Sequence, residues 1–123
     1  MVLVDTCGWI EWLTDGVLAD NYAPYLADTS QLIVPTLVQF ELYKWCLRER
    51  NEAVALEIIG LTEACRITQL DTRIALAAAD ISTQHKLAMA DSIIYASALA
   101  YRGKLLTSDA HFADLSDVVY WNK

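Results

Sequence analysis

The sequence predicts an α/β fold, in which helices cover both faces of a parallel sheet, from three observations. Short apolar runs of strand length alternate with longer stretches in which apolar residues recur at every third or fourth position. The short runs are continuously apolar, as is typical of strands that are buried on both faces. Two of them, residues 1–4 and 104–107, are closely followed by an aspartate, Asp5 and Asp109. Ligand sites of open parallel sheets lie at this carboxyl edge.

Length and composition limit what the chain can be. Its 123 residues correspond to a single domain, residues 1–123, with room for one core. With 55% hydrophobic residues and a mean hydropathy of +0.28, it is apolar for its size, and we expect self-association or a tightly held partner. No apolar run approaches the roughly 20 residues that a bilayer crossing needs, and no basic lead-in precedes the first strand. We therefore expect a cytoplasmic protein without membrane contact.

The cysteines and the charge exclude other classes. Cys7, Cys46 and Cys65 are odd in number, widely spaced and without a zinc or redox motif, so we expect reduced core residues. A formal net charge of -7 argues against a broad basic footprint for nucleic acid. It does not exclude a nucleic-acid enzyme whose acids are neutralised by a divalent metal.

The chain begins with a strand and a short helix. Residues 1–4 predict a buried strand that ends at Asp5. Residues 7–13 predict an amphipathic helix, with Asp5 or Thr6 placed as its N-cap. A weaker helical pattern follows, and Pro24 opens or interrupts it.

A second strand and a longer helix come next. Residues 31–34 predict the strand, and Pro35 suits the first turn of a helix over residues 36–50. Glu41 lies inside this helix, within two turns of the strand's carboxyl end. It is either solvated beside the basic residues of the following turns or directed toward the sheet edge. The apolar positions of the helix are Leu37, Phe40, Tyr43 and Leu47, with Val38 and Trp45 beside them.

The middle of the chain adds a helical hairpin and an edge strand. Residues 51–61 predict a helix that pairs with the preceding one. Residues 65–70 alternate enough to form a strand near the sheet edge, and Asp71 is expected to cap a helix over residues 72–85. The residues expected to be buried in the first of these helices are Val54, Leu56, Ile58 and Ile59. The residues of the second expected to face water are Asp80 and His85.

The last part of the chain is predicted to contain a buried helix, a strand, a short helix and a last strand. Residues 91–102 predict a helix with a wide apolar face, and Gly103 is placed to take the left-handed conformation that ends helices. Residues 104–107 predict the fourth strand. A short helix over residues 110–115 then leads to a last strand over residues 118–121.

Four carboxylates are expected to meet at one sheet edge. Asp5 and Asp109 both follow strands, which places the first and fourth strands side by side at the switch point. Glu41 and Asp91 enter from the adjoining helices, and all four acids are expected to open into one pocket. Like charges this close need compensation, and one or two divalent cations with oxygen ligands supply it. Such a site can activate water for an in-line displacement at phosphorus.

The same positions carry a family resemblance. The segments VDTCGWIEWL, VPTLVQFELYKW, LAMADSIIYASAL and LLTSDAHF together resemble the PIN-domain ribonucleases, and within them the VapC-type toxins of prokaryotic toxin–antitoxin pairs. The resemblance covers nearly the whole chain. It implies a three-layer α/β/α domain whose five-stranded parallel sheet has the order 3-2-1-4-5. It also implies Mg²⁺- or Mn²⁺-dependent endoribonuclease activity on RNA, homodimerisation and inhibition by a small VapB-type antitoxin.

The resemblance also assigns roles to residues. It carries the family's catalytic and metal-binding acids over to Asp5, Glu41, Asp91 and Asp109. Thr107 corresponds to the usual hydroxyl beside the last acid, and Thr6 and Ser92 are expected as donors that orient the acids. One departure is His111, where many members have a further acid, and this leaves open how a second metal position is held.

Two other classes of function stay open from the sequence. A phosphoryl-transfer hydrolase also begins with an aspartate after its first strand, but it needs a second acid two residues later, where this chain has Cys7. A catalytically silent PIN-fold binding module is the non-enzyme alternative. The presence of all four acids argues against it.

Overall fold

Five parallel strands form one sheet with the order β3-β2-β1-β4-β5 in the computed structural model, which describes residues 1–123. The predicted sheet and its strand order are therefore confirmed. Val2 of β1 is paired with Leu32 of β2 on one side and Lys104 of β4 on the other, so β1 and β4 are neighbours as predicted. The strands are β1 Val2–Val4, β2 Leu32–Pro35, β3 Arg66–Thr68, β4 Lys104–Thr107 and β5 Val118–Tyr120.

Six helices connect the strands. They are α1 Thr6–Leu13, α2 Ala19–Leu26, α3 Thr36–Glu49, α4 Glu52–Thr62, α5 Thr72–His85 and α6 Met89–Ala100. Two single-turn 3₁₀ helices, Thr29–Gln31 and Ala110–Phe112, precede β2 and follow β4. No helix in the chain combines the length and the apolar character that a bilayer crossing requires.

The direction of the crossovers explains why helices cover both faces of the sheet. The chain moves from β1 to β2 to β3 in one direction and returns from β3 to β4 in the other. Because parallel crossovers are right-handed, the two halves of the path cover opposite faces of the sheet. Side chains of the central strands are fully buried as a result, among them Leu3, Ile33 and Leu105.

The end of α6 differs from the prediction. Arg102, not Gly103, takes the positive φ, at 54°, and no glycine has a positive φ. The glycine is needed for space instead, since a Cβ at position 103 would lie 3.0 Å from Ile33 Cδ1 and 3.2 Å from the Met1 carbonyl oxygen. The loop before β4 therefore passes close against the amino ends of the neighbouring strands.

Two helix starts also shift. Pro35 is the last residue of β2 and the N-cap of α3, one position before its predicted place in the first turn. Helix α6 begins at Met89 with Ala88 as its N-cap, so Asp91 lies within the first turn and is not the cap.

Two other predictions concern α2 and α5. Pro24 lies inside α2 and does not open it. Asp71 caps α5 as predicted, accepting a 2.9 Å hydrogen bond from the Ile74 amide.

The buried face of α3 is not the predicted stripe. Val38, Leu42 and Cys46 point into the core, whereas the Phe40 side chain is 60% exposed. Leu56 of α4 was expected to be buried and is 55% exposed. Both helices carry apolar residues nearly all round, so their periodicity does not determine which side meets the sheet.

Candidate active site

Asp5 lies where the central strand β1 passes into helix α1. Its amide donates to the Leu106 carbonyl oxygen at 3.0 Å, which extends the pairing of β1 with β4 by one residue. The side chain is the N-cap of α1, since Oδ1 accepts a 2.8 Å hydrogen bond from the Thr6 amide. The other oxygen, Oδ2, accepts from the Thr107 hydroxyl at 2.8 Å and from the Cys7 thiol at 3.6 Å. Asp5 is thus both a cap and a buried, three-donor carboxylate.

Burial dominates the electrostatics of Asp5. Desolvation raises the pKa of its carboxyl from 3.8 to about 6, although Thr107, Thr6 and Cys7 each lower it by donating hydrogen bonds. The negative charge of Glu41 adds a smaller upward shift to the pKa. A carboxylate in this position is costly to ionise without a nearby cation.

Two threonines connect Asp5 with the neighbouring acids. Thr6, which donates its amide to Asp5, also donates its hydroxyl to Glu41 Oε1 at 2.6 Å. Thr107, which donates its hydroxyl to Asp5, accepts from the Asp109 amide at 2.9 Å. Thr6 and Thr107 therefore lie beside the acids. The Thr6 hydroxyl connects the carboxyl end of β1 to Glu41 of α3, and the Thr107 hydroxyl connects the carboxyl end of β4 to Asp5.

A second group brings together the remaining acids and a histidine. Asp91, Asp109 and His111 each present one potential ligand atom within 4.8 Å of the others. His111 Nδ1 is 3.2 Å from Asp109 Oδ1 and 3.7 Å from Asp91 Oδ2. The His111 amide also donates to Asp109 Oδ1 at 2.9 Å, because Asp109 caps the 3₁₀ turn after β4. This turn directs the histidine back toward α6.

The pKa of Asp91 is shifted by burial and by three neighbouring side chains. Burial raises the pKa of its carboxyl, and the charge of Asp109 raises it further. His111 lowers this pKa, and Glu41 raises it. Since Glu41 shifts both Asp5 and Asp91 upward, the four acids form one electrostatically coupled set at the carboxyl edge of the sheet.

Two details of the site differ from the prediction, and a third was not part of it. No surface cavity is lined by all four acids, and the one cavity that any of them lines contains Glu41 alone. Ser92 was expected as a donor to the cluster, but its hydroxyl donates to the Ala88 and Leu87 carbonyl oxygens at 2.8 and 3.4 Å. His111 was not among the predicted site residues. Its spacing two residues after Asp109 was the available signal.

The donors suit a divalent cation. Carboxylate oxygens are the ligands that Mg²⁺ and Mn²⁺ prefer, and an imidazole nitrogen is compatible with Mn²⁺ and other transition metals. The pKa values of Asp5 and Asp91 are raised mainly by burial and further by neighbouring carboxylates, and a cation held by Asp91 and Asp109 would offset both effects. The residues present therefore fit a metal at this edge.

A sequence match to a protein family covers almost the whole chain. A model of the PIN domain matches residues 2–118. The chain belongs to the PIN domain family. No curated protein matches it in sequence.

Solved structures share this fold over most or all of their length. The chain is similar to a toxin–antitoxin complex from Klebsiella pneumoniae, with a TM-score of 0.81, 23% identity, and coverage of 97% of this chain and 96% of the other. It is similar to VapBC-1 from nontypeable Haemophilus influenzae, with a TM-score of 0.73, 21% identity and full coverage of both chains. It is also similar to Mycobacterium tuberculosis VapC20, a sarcin–ricin loop cleaving toxin, with a TM-score of 0.68, 13% identity and 85% of each chain covered.

Proposed function

We propose that this PIN domain is a metal-dependent endoribonuclease and the toxin of a toxin–antitoxin pair. The observation that carries the proposal is the coupled cluster of Asp5, Glu41, Asp91 and Asp109 at the carboxyl edge of β1 and β4. The VapC20 structure supports RNA as the substrate class, because that similar protein is described as cleaving the sarcin–ricin loop. An RNA substrate agrees with the cytoplasmic location predicted from the sequence.

The chain supplies a negative, preorganised edge for phosphodiester hydrolysis. Asp91 and Asp109 would hold a Mg²⁺ or Mn²⁺ ion, which would supply charge neutralisation at the phosphate and activation of a water molecule. The Asp5 carboxylate is fixed beside them by hydrogen bonds from the Thr107 hydroxyl and the Thr6 amide. Glu41 completes the acidic edge from α3, with its carboxylate held by the Thr6 hydroxyl. His111 Nδ1 lies 3.2 Å from Asp109 Oδ1 and 3.7 Å from Asp91 Oδ2, and it lowers the pKa of the Asp91 carboxyl.

An antitoxin is the proposed protein partner. The Klebsiella and Haemophilus structures are toxin–antitoxin complexes, which supports a VapB-type antitoxin for this chain. An arginine side chain from such a partner could pair with a carboxylate of the cluster through two hydrogen bonds and compete with the cation for charge and space. The proposal therefore joins inhibition to the same acids that bind the metal.

A homodimer is the proposed assembly. The side chains of Leu76 and Met89 are 65% and 77% exposed, and both belong to the α5/α6 pair. A cavity of about 340 Å³ between these helices is lined by Leu70, Met89 and Ile93 among others. Exposed apolar area of this kind favours a protein interface. Light scattering of the antitoxin-free protein should give a dimer, and Met89→Glu should give a monomer.

The two other classes of function have less support. Cys7 occupies the position at which the phosphoryl-transfer hydrolase needs its second acid, and burial raises the pKa of this thiol above its usual range. A silent binding module has no need of a cluster that keeps all four acids together. The nuclease proposal accounts for the four acids, and it requires no acid at position 7.

RNA cleavage with and without metal tests the proposal. Purified protein should cleave total RNA in Mg²⁺ or Mn²⁺ and stop when a chelator is added. Asp80→Asn is the matched control, because Asp80 is an exposed aspartate of α5 that is not part of the acid cluster. Cleavage that persists in chelator would contradict the metal-dependent mechanism, and absence of cleavage in both metals would favour one of the two other classes.

A further inference from the structure

Phe40 is exposed in a place where no packing explains an aromatic ring. Its side chain is 60% exposed, whereas the buried side of α3 consists of Val38, Leu42 and Cys46. It directly precedes Glu41, an acid of the coupled cluster. A large exposed apolar side chain beside a charged edge indicates a contact surface.

Two basic residues follow Phe40 on the same helix. Lys44 and Arg48 come three and seven residues after Glu41, spacings that place side chains on one face of a helix. Lys44 Nζ lies 5.9 Å from the centroid of the Phe40 ring, and no carboxylate oxygen lies within 4.0 Å of it. Arg48 pairs only with its neighbour Glu49, at 2.9 Å, in a contact that is largely exposed. Both cations are therefore available to an anionic ligand.

A cavity joins these side chains to the acidic edge. It has a volume of about 270 Å³ and lies between α1 and α3. Its lining residues are Ile10, Phe40, Glu41, Lys44, Trp45 and Arg48. Glu41 belongs to both the cavity and the acid cluster, so a strand bound in the cavity continues directly to the metal-binding edge.

We propose that this cavity, the Phe40–Arg48 groove, binds the single-stranded RNA segment next to the cleaved phosphodiester. The proposal rests on the ribonuclease function proposed above. A base stacks on the Phe40 ring, and adjacent phosphates contact the Lys44 ammonium and the Arg48 guanidinium. An aromatic platform combined with basic side chains along a groove is the arrangement with which proteins bind single strands.

Charge and shape favour RNA over an acidic peptide or a duplex. The chain has 16 acidic and nine basic residues, yet two basic residues lie within seven positions of Glu41: Lys44, which pairs with no carboxylate, and Arg48, whose one ion pair with Glu49 is largely exposed. A phosphate backbone places a charge at every nucleotide and so can contact both. Stacking on Phe40 needs an unpaired base, which an A-form duplex does not offer.

The groove is tested by measuring RNA binding to a variant that is expected not to cleave RNA. The assay uses Asp91→Asn protein and a short fluorescein-labelled single-stranded RNA of mixed sequence, and it follows anisotropy at several salt concentrations. Phe40→Ala should weaken binding about 10-fold without changing the salt dependence, and Phe40→Tyr should restore it. Lys44→Ala and Arg48→Ala should each weaken binding and reduce the salt slope by about 0.7.

Two matched variants control for general effects. Leu56→Ala removes a comparably exposed apolar side chain from α4, and Lys104→Ala removes a positive charge from the amino end of β4. Both should bind RNA as the Asp91→Asn parent does. Melting temperatures of all variants establish that the fold is retained.

The outcomes separate this proposal from the ribonuclease proposal. If the wild-type protein does not cleave RNA in any divalent metal, the ribonuclease function is wrong and the groove proposal is overturned with it. If the wild type cleaves but Phe40→Ala and Lys44→Ala bind RNA as the controls do, only the groove proposal is overturned. Unchanged RNA binding together with lost antitoxin binding would likewise overturn it, because the surface would then belong to the protein partner.

Discussion

Asp5 and Asp71 look alike in the sequence but differ in the structure. Each follows a parallel strand and caps the next helix, Asp5 through the Thr6 amide and Asp71 through the Ile74 amide. Asp71 is exposed and its cap bond is its only side-chain hydrogen bond. Asp5 is 6% exposed and accepts two further hydrogen bonds, from Thr107 and Cys7. Capping is therefore a complete description of Asp71 and an incomplete one of Asp5.

The position of the strand explains the difference. β1 lies in the middle of the sheet between β2 and β4, and side chains from β4, α1 and α3 reach its carboxyl end. β3 is an edge strand with a neighbour on one side only. An aspartate after β3 has only its own helix to contact. A chemical site forms where the strand order reverses, because elements from both halves of the chain meet there.

Asp91→Asn should have the largest effect. The change keeps size and hydrogen-bonding capacity but removes the charge that binds the cation. We expect RNA cleavage to fall by at least about 100-fold, and Mg²⁺ should no longer raise the melting temperature. Without metal the variant should be as stable as the parent or more so, since a like charge is removed from the cluster.

Asp71→Asn is the control for this loss. Asparagine caps helices about as well as aspartate, so both cleavage and stability should be unchanged. If Asp91→Asn retains metal-dependent cleavage, Asp91 is not a metal ligand. If instead it loses its cooperative melting transition without metal, its role is structural.

The pH dependence of stability should separate Asp5 from Asp71. The pKa of Asp5 is raised from 3.8 to about 6, so the folded protein binds this proton more tightly than the unfolded chain does. The stabilisation from the protonated form is present at low pH and is lost as pH rises through this window. At about 1.4 kcal/mol per pKa unit, the metal-free protein should lose up to about 3 kcal/mol of unfolding free energy between pH 4 and pH 7.

Denaturant unfolding in chelator at several pH values measures this loss. Asp5→Asn should flatten the decline, and Asp71→Asn should leave it as in the parent. Saturating Mg²⁺ should oppose the decline, because a bound cation favours the ionised carboxylate. An equal slope for Asp5→Asn and the parent would mean that other groups cause the pH dependence.

His111→Ala should have a moderate effect on metal binding. The Nδ1 atom lies near both Asp109 and Asp91, and groups that orient or complete a metal site typically contribute 10-fold or more to affinity. We expect Mn²⁺ affinity in calorimetric titration to fall about 10-fold. His111→Asp should restore much of it, since many proteins of the resembled family carry an acid at this position. His85→Ala, at the exposed end of α5, is the matched control and should bind Mn²⁺ normally.

The smallest effect is expected from Asp71→Ala. Losing the cap bond to the Ile74 amide should lower the unfolding free energy by about 1 kcal/mol and leave RNA cleavage unchanged. Chemical denaturation and the cleavage assay measure the two quantities. Reduced cleavage at unchanged metal affinity would show that the edge of the sheet near β3 also takes part in function.

The sequence by itself determined that the sheet is parallel, which strands are adjacent in it and which elements contain the four acids. Apolar runs ending at Asp5 and near Asp109 indicated central parallel strands, because only strands buried on both faces need such runs. The family motifs supplied the strand order 3-2-1-4-5, which the sheet has. These features depend on local patterns along the chain, and such patterns are visible without a structure.

Only the tertiary structure decided how side chains are oriented. Thr107 and Asp5 are 102 residues apart, and their hydrogen bond exists because β1 and β4 are neighbours. The return of His111 to Asp91 depends on the 3₁₀ turn after β4, and the exposure of Phe40 depends on which side of α3 meets the sheet. Such choices are made by contacts between distant segments, for which a single sequence contains no periodic signal.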